Sequence, residues 1–459
     1  MPRKYRGAEL PPTIHAPGIG VGLLYLLGRP DLATRIGTRK GPAATLEVPG
    51  FGLSVAVASP EFAKQVYTAA PDVLHSGESS PLKRTLGKHS IFALDEDEHL
   101  RERRLLLPPF HGERMGAYTR IFEEEALAEF ETWKTGDEFP TLEPMMRITL
   151  NAILRAVFGA EDEEFEGLRE VIPPLVKVGS AMTALPALQK DLGSWSPWTR
   201  FLAHRARYDE LVNTLVDKGH ADPQLAERND VLALLLQARY DDGEAMTRAQ
   251  IADELLTILV AGHETTAGTL AWAVERLRRH PDLLDRLIDE ANAGGSKLRE
   301  ATIWELQRVR PVIVATERLV VKPFELGEWT IPPRMHVVVD FLGLHNDPEL
   351  FPDPLALRPE RFLEAAPDTY SWVPFGGGRR RCAGAAFAKL EMDVVLRMLL
   401  TRCTWKATDA KDERWRFRGV AFVPAKGGRG EFSAIDCSPL AAPQDRGALV
   451  GEQVGVGAD

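Results

Sequence analysis

One stretch of about thirty residues constrains the fold more than any other part of the chain, because it predicts a very long and almost wholly apolar helix. Thr247 and Gln250 have the spacing of a capping box, and His280-Pro281 ends the helical pattern. At 1.5 Å per residue the helix is about 45–50 Å long. Its central part, residues 255–274, is apolar on nearly every side. Such a helix must run through the middle of a large core.

The midpoint of this helix, AGHETT at positions 261–266, is poorly suited to an apolar core. Gly262 costs about 1 kcal/mol relative to alanine inside a helix, and the ionisable Glu264 is expensive to bury. In one interpretation Glu264 faces solvent and Thr265 and Thr266 hydrogen-bond back to the helix. In the other, the hydroxyls open the helix beside the glycine, and the carboxylate and hydroxyl form a proton-delivery pair. The residues alone leave both open.

A second unusual segment, PFGGGRRRCAGAA at positions 374–386, lies late in the chain. Glycine contributes little packing and arginine resists burial, so the segment does not read as a structural core. It predicts that a negatively charged group approaches the backbone closely. Cys382 stands directly before a helical pattern, whose positive end favours the ionised form of the thiol.

Composition and net charge exclude several classes of protein. The chain has 459 residues and a formal net charge of -10, which argues against a general nucleic-acid binder. Three scattered cysteines are too few for a disulfide framework and fit a reducing, cytoplasmic compartment. The apolar patch at residues 21–27 is too short to span a bilayer and lacks the features of a secretory signal. We therefore expect no membrane anchor.

The periodicity predicts a mainly α fold with a small β portion, of the α+β class. Helical patterns cover residues 114–133, 142–158, 208–218, 230–240 and 384–400. Short strands are predicted at 51–58 and 337–341, and residues 343–374 are rich enough in Pro and Gly to form a long ordered loop. We expect one catalytic domain at 1–437 and a disordered tail at 438–459, which is rich in Gly, Ala and polar residues.

Five motifs together resemble the cytochrome P-450 family. The segment Phe375-x-x-Gly378-x-Arg380-x-Cys382-x-Gly384 is similar to the haem-binding signature of that family. Four further segments agree with it in type and in order: His99-x-x-x-Arg103, AGHETT, Glu305-x-x-Arg308 and Pro359-Glu360-Arg361-Phe362. One E-x-x-R alone means little, but five motifs in order are specific.

The resemblance implies a cytochrome P-450 fold, with haem b between the long central helix and the helix that follows the cysteine ligand. Cys382 is then the axial thiolate ligand of the iron, which favours O–O cleavage. The implied haem contacts are His99, Arg103, Ala261, Gly262, Arg318, Phe375, Gly376, Arg380, Cys382 and Gly384. Glu305, Arg308 and Arg361 are implied structural ion pairs that pin a loop to a helix. Arg379 and Arg381 are left open between donor docking and plain surface.

The resemblance further implies a haem-thiolate monooxygenase in which Glu264 and Thr265 deliver protons. We find no flavin or iron–sulfur motif, so two electrons must come from separate proteins, most simply a ferredoxin and its reductase, as in soluble bacterial relatives. Apolar segments such as VIVAT at 312–316 favour a lipophilic substrate, which O₂ hydroxylates or epoxidises. We expect a monomer.

Three other functions remain compatible with the residues. A haem sensor or carrier without turnover, and a peroxygenase that uses H₂O₂ directly, are both disfavoured by the pair Glu264-Thr265. An isomerase or dehydratase acting in the same pocket stays open, because its residues need not differ.

Overall fold

The fold was analysed in a computed structural model. It describes residues 9–16, 18–48, 50–110, 112, 115–159, 163–184, 189–190, 193 and 195–440. Within that part of the chain, helices predominate. They are α1 (Gly18–Leu26), α2 (Pro30–Thr38), α3 (Pro60–Thr68), α4 (Lys83–Leu86), α5 (Glu96–Leu106), α6 (Met115–Phe130), α7 (Leu142–Phe158), α8 (Glu163–Ala184), α9 (Pro197–Ala221), α10 (Val231–Gln237), α11 (Arg248–Leu277), α12 (Pro281–Asn292), α13 (Lys297–Val309), α14 (Phe341–His345) and α15 (Ala385–Arg402).

The strands are short and form four small sheets. Their bounds are β1 (Ala43–Val48), β2 (Gly52–Val57), β3 (Leu74–His75), β4 (Glu138–Pro140), β5 (Ala315–Val320), β6 (Phe324–Leu326), β7 (Trp329–Ile331), β8 (His336–Asp340), β9 (Cys403–Trp405), β10 (Trp415–Phe417), β11 (Phe422–Pro424) and β12 (Arg429–Ile435). The largest sheet has the order β1-β2-β8-β5-β3. Strands β4, β12 and β9 form a second sheet, and β10-β11 and β6-β7 are two-stranded ribbons.

Helix α11 is the predicted long helix, and it runs unbroken through the core. Its capping box is present, since the Thr247 side chain accepts from the Gln250 amide while the Gln250 side chain accepts from the Thr247 amide. The apolar residues of α11 join those of α6, α7, α9 and α15 in the main hydrophobic core. A second, smaller core fills one face of the largest sheet. The prediction of a helix through a large core is confirmed.

Most of the other predicted elements are also confirmed. Helix α7 has the predicted bounds, and the two predicted strands are β2 and β8, which pair in parallel with Ser54 opposite His336. The segment after α14 is a long irregular loop with a 3-10 turn at Pro359–Phe362. Helix α8 was not predicted, because it contains Pro173 and Pro174. The predicted tail lies outside the described residues from position 441 onward.

No helix in the described part of the chain is long and apolar enough to cross a membrane.

Candidate active site

One face of α11 borders an internal cavity. Between Ile251 and Leu277 all residues of this helix are buried except Ile258, Val260, Ala261, Gly262 and Thr265. Four of these, at positions 258, 261, 262 and 265, fall on one side of an α-helix, because successive residues turn by 100°. A core helix with one accessible face at its midpoint borders a space inside the protein, at the position of the AGHETT motif.

Thr265 and Glu264, neighbouring residues of the motif, differ in their hydrogen bonds and burial. The hydroxyl of Thr265 donates to the carbonyl oxygen of Ala261 at 2.8 Å, so the back-bonding interpretation of this threonine is confirmed. The expectation that Glu264 faces solvent is wrong, since Glu264 is buried. Its carboxylate accepts a hydrogen bond from Nε of Arg418 at 2.8 Å. An opened helix is not observed here, and α11 keeps its helical form through these positions.

Close helix packing explains one glycine of the motif. A Cβ atom added at Gly262 would lie 2.3 Å from Cδ1 of Ile153 on α7. Real Cβ atoms do not approach so closely, so a side chain at this position would force the end of the Ile153 side chain to move. Ala261, in contrast, is exposed to the cavity.

The loop before α15 presents Cys382. Gly376 and Gly378 have φ angles of 66° and 61°, in the left-handed region that glycine adopts readily. A Cβ at Gly378 would lie 1.9 Å from the carbonyl oxygen of Tyr67, so α3 sets the path of the loop there. The amide of Cys382 donates to the carbonyl of Phe375 at 2.9 Å and closes the loop.

Cys382 is surrounded by protein and yet accessible. Its side chain is exposed, while burial among protein atoms raises the pKa of its thiol. A side chain that is both enclosed and accessible faces an internal cavity. The amide of Gly384 and the charges of Arg103 and Arg381 oppose this rise in the pKa. The groups that favour the ionised thiol are therefore present, but in the free thiol the effect of burial on the pKa is larger than theirs.

A cluster of cationic side chains lies beside this loop. His99, Arg318 and Arg380 line one cavity together with Asp95. Burial lowers the pKa of His99 to about 3, and the charges of Arg380 and Arg103 act in the same direction, so the imidazole is neutral. Burial also lowers the pKa of Arg380 to about 10. Predicted site residues from three separate segments thus meet in space.

The hydrogen-bond partners of these arginines do not balance their positive charge. Arg380 pairs with Asp95 at 2.6 Å, and Arg103 donates to the carbonyl oxygen of Arg381 at 2.7 Å. Arg318 is buried, donates to the backbone of Glu317 and lies over the ring of Tyr67. Of the three guanidinium groups, Arg380 alone forms a salt bridge here, while the charges of Glu317 and Asp95 act on Arg318 without a salt bridge.

The residues present fit a haem. A thiol on one side and a cationic cluster beside it match the two parts of the cofactor, an iron that takes a thiolate ligand and two anionic propionates. The excess of cations and the burial of Arg318 without a salt bridge favour an anionic group at this place.

The predicted structural ion pairs come together as a compact network. Arg308 donates from Nε and Nη2 to the two oxygens of Glu305 at 2.8 and 2.7 Å, and both side chains are fully buried. Arg361 donates to Glu305 at 3.2 Å. Arg308 also donates to the carbonyls of His345 and Pro354, which ties the long irregular loop to α13.

Three residues of this region were not predicted. Arg418 holds Glu264, Asp95 accepts the amides of Ser76, Gly77 and Glu78 as well as Arg380, and His345 joins α13 to the segment that leads into the cysteine loop. None belongs to the motifs quoted above, and each meets its partner from a distant segment of the chain, which the sequence does not show.

A larger cavity of about 440 Å³ lies elsewhere. Charged side chains at the carboxyl ends of α11 and α13 line it, among them Arg276, Arg279 and Arg310. It contains none of the predicted site residues, so we do not assign it to the reaction.

Fold and site together are those of a haem-thiolate enzyme: an accessible cysteine lies on a glycine-rich loop directly before a helix, and a long central helix has an accessible face at its midpoint. The sequence model of cytochrome P450 matches residues 38–428. The chain belongs to the cytochrome P450 family and is a cytochrome P450 monooxygenase.

Relatives and a solved structure agree with this assignment. Cytochrome P450 138 of Mycobacterium tuberculosis is 49% identical over 423 residues, covering 92% of this chain and 96% of that protein. Cytochrome P450 137 of the same organism is 37% identical over 433 residues, with 92% and 91% coverage. The retinoic acid-bound cyanobacterial CYP120A1 superposes with a TM-score of 0.81 at 19% identity, covering 94% of this chain and 100% of that one. It confirms the fold.

Proposed function

We propose that this monooxygenase binds haem b and inserts one oxygen atom of O₂ into a lipophilic substrate, by hydroxylation or epoxidation. Two electrons come from a separate ferredoxin and its reductase. The observation that carries the proposal is the pairing of an accessible, enclosed Cys382 with the cavity-lining face of α11. Haem ligated by a thiolate supplies the oxygen activation, and the protein supplies binding, orientation and control of protons.

The proximal residues hold the cofactor. Cys382 ligates the iron as a thiolate, and the Gly384 amide with Arg103 favours that charged form. Arg318 and Arg380, with Arg103 and the neutral His99, bind the propionates. Phe375 and Gly376 belong to the loop that brings the backbone close to the ring. Glu305, Arg308 and Arg361 keep the supporting loop in place.

The distal residues handle the protons. The Thr265 hydroxyl lies on the cavity-lining face, where it can release its hydrogen bond to Ala261 and offer a proton to the cavity. Glu264 is one residue away but is held by Arg418. It can therefore exchange a proton with Thr265 only when the ion pair rearranges. Because Ala261 has a small side chain and Gly262 has none, they leave space beside the helix at this position.

The chemistry of the lining favours a lipophilic substrate. Ile258 and Ala261 are the apolar residues on the accessible face of α11, and the carbonyl of Val312, which lies beside Gly268 of the same helix, accepts the amide of Phe422. Apolar walls with few polar groups select for hydrophobic ligands. We further propose that residues 1–437 form one catalytic domain and that it works as a monomer in the cytoplasm.

The test combines spectroscopy with isotope labelling. The purified, haem-loaded protein should show the long-wavelength band of thiolate ligation in its reduced carbon monoxide complex, and Cys382→Ser should abolish that band. With ferredoxin, reductase and NADPH, a compound that shifts the spin state should yield product carrying one atom from ¹⁸O₂. A spectrum of histidine-ligated haem would contradict the Cys382 assignment.

Each alternative function gives a distinct result in this assay. A carrier or sensor binds haem and ligand but forms no product. A peroxygenase forms labelled product from H₂¹⁸O₂ without donor proteins. An isomerase forms product without the label.

A further inference from the structure

Glu254 lies on the same side of α11 as the cavity-lining residues but is not used by the mechanism above. It precedes Ile258 by four residues and Thr265 by eleven, and these spacings place all three on one side of the helix. Glu254 is fully buried, and among the described residues no side chain hydrogen-bonds its carboxyl oxygens; the donor that acts on them is the backbone amide of Ile91. A buried carboxyl without a side-chain partner is rare in proteins and requires a reason.

The surroundings of Glu254 keep it protonated. Burial raises the pKa of its carboxyl to about 9, and the charges of Glu102 and Asp253 act in the same direction. The backbone amide of Ile91 opposes this shift. Asp253 itself is paired with Arg205 and His89. At neutral pH Glu254 thus carries a proton, and a protonated carboxyl can both donate and accept a hydrogen bond.

A second buried carboxyl connects Glu254 to the surface. On α5, Oε1 of Glu102 accepts from the Tyr240 hydroxyl at 2.5 Å and from Nε2 of Gln250 at 3.0 Å. Its other oxygen has no partner, and burial raises the pKa of Glu102 as well. Gln250 is half-buried, belongs to the cap of α11 and precedes Glu254 by one helical turn. Solvent is therefore close to Gln250 and to the Glu102 carboxyl that it contacts.

Hydroxyl groups lie on the inner side of Glu254. Thr257 donates to the hydroxyl of Ser90 at 2.7 Å, within one turn of Glu254 on α11. Beyond them the helix face continues through Ile258 and Ala261 to Thr265. From Glu254 to Thr265 the rise along the helix is about 16 Å, a distance that a short chain of hydroxyls and waters can cover.

We propose that Glu102 and Glu254 form a proton-entry route from the surface at Gln250 to the cavity beside Thr265. The inference rests on the proposed function, because oxygen activation consumes protons inside the cavity. Glu254 breaks its O–H bond and passes the proton to a hydroxyl or water in the cavity. Glu102 then returns a proton from solvent to the Glu254 carboxylate, so the route undergoes no net change.

The first test does not depend on turnover. Infrared difference spectra of the haem-loaded protein in H₂O and D₂O should contain the C=O band of a buried, protonated carboxyl at pH 7. Glu254→Gln should remove the Glu254 component of this band, while the component of the buried Glu391, whose pKa burial also raises, should remain. Glu102→Gln should keep the Glu254 component but slow its exchange with D₂O by about tenfold. Glu98→Gln, on the exposed side of α5, is the matched control and should change neither the band nor its exchange.

The second test measures how protons reach the reaction. With donor proteins and a spin-shifting substrate, Glu254→Gln should bind haem and substrate like the wild type. Its turnover should fall by about tenfold, with a larger solvent isotope effect and more peroxide. If Glu254 had a purely structural role, Glu254→Gln would not change the solvent isotope effect on turnover.

The two proposals fail in different ways. A wild type that makes no oxygenated product would contradict the proposed function. The proton route would still be tested, because the exchange of the carboxyl band with D₂O is measured without turnover. A carboxyl band at pH 7 that Glu254→Gln leaves unchanged, exchange unaffected by Glu102→Gln, or an isotope effect in Glu254→Gln equal to that of Glu98→Gln would overturn the route.

Discussion

Neighbouring residues of the central helix have opposite environments, and this decides their chemistry. Thr265 borders the cavity, whereas the adjacent Glu264 is buried and bound to Arg418. A turn of 100° per residue is enough to separate them. The acid and the alcohol of the motif therefore meet only when the ion pair moves, and the hydroxyl is the group next to the reaction.

Replacing Thr265 should uncouple electron flow from product formation. In Thr265→Ala the hydroxyl that offers a proton to the cavity is lost, so reduced oxygen leaves as peroxide. We expect the share of electrons that appears in product to fall at least about tenfold. The measurement compares NADPH consumed, peroxide released and product formed.

Thr214→Ala is the control for this prediction. Thr214 makes the same back-bond, to the carbonyl of Glu210, on the exposed side of α9. Tight coupling in Thr265→Ala would remove Thr265 from proton delivery.

His345 should make stability depend on pH. Its Nε2 accepts from the Val373 amide and its Nδ1 faces the Arg308 carbonyl, so the imidazole is neutral, and burial lowers its pKa to about 3. Because the folded pKa lies below the unfolded value of about 6.5, this stability is complete above pH 6.5 and is lost as the pH falls towards 3.

At pH 5 this one group should lower the free energy of unfolding by about 2 kcal/mol relative to pH 6.5. Urea unfolding at a series of pH values checks this. His345→Gln should show a correspondingly weaker dependence, while the exposed His220→Gln should follow the wild type. Parallel curves for wild type and His345→Gln would contradict the assignment.

At the scale of elements, packing between helices overrides local preferences. Helix α8 contains Pro173-Pro174 yet stays helical, with Ile172 and Leu175 buried in the main core against α9. The same principle acts where α7 crosses α11, since a side chain at Gly262 would displace the end of the Ile153 side chain. Tertiary contacts supply more free energy than the propensities they oppose.

The contact between α7 and α11 can be tested by a double-mutant cycle. Gly262→Ala should lower the free energy of unfolding, because overpacking of about 1–3 kcal/mol exceeds the gain in helix propensity of about 1 kcal/mol. Ile153→Val removes the Cδ1 atom that the new methyl group would meet. The two changes should therefore couple favourably by about 1–3 kcal/mol.

Gly20→Ala serves as the control, since a Cβ at Gly20 in α1 meets no atom within 4 Å. It should be neutral or stabilising. Strict additivity of Gly262→Ala and Ile153→Val in urea unfolding would show that this contact does not require the glycine.

The buried ion pairs between α13 and the long loop should matter for folding rather than for turnover. Glu305→Ala leaves two guanidinium groups without their carboxylate, at a cost of about 3–5 kcal/mol. We expect little haem-loaded protein, measured as the ratio of haem absorbance to protein.

Arg286→Ala breaks an exposed pair with Glu360 and should change stability by at most about 1 kcal/mol. A stable, fully loaded Glu305→Ala protein would contradict the structural role of the network.

At the scale of the whole molecule, charge is distributed unevenly. The chain carries a formal net charge of -10, but Arg379 and Arg381 are exposed beside the cysteine loop. An acidic electron donor would be repelled by most of the surface and attracted to this patch. The donor-docking interpretation of these arginines predicts a rate that depends on salt.

Arg379→Glu should slow reduction by an acidic ferredoxin by about tenfold at low ionic strength, with less effect at high salt. Stopped-flow measurement of haem reduction checks this, and reduction by dithionite should be unchanged. Arg200→Glu, exposed on α9, is the charge-matched control. Equal effects of both variants would assign Arg379 to plain surface.

The sequence by itself determined the parts of this protein that depend on local order. The cap and apolar length of α11, the glycine-rich loop before Cys382 and the spacing of Glu305 and Arg308 are visible within a few residues, because backbone geometry and helical spacing act over such distances. For the same reason the helical class and the haem-thiolate chemistry could be predicted.

Only the tertiary structure decided which side chains meet across the chain. Arg418 reaches Glu264 over 154 positions, and Asp95 reaches Arg380 over 285. Glu254 is an ordinary helix residue in the sequence, and only the packing of distant segments around α11 leaves it buried without a side-chain partner. Burial and long-range pairing depend on how elements pack, and that packing is set by the whole core rather than by any short segment.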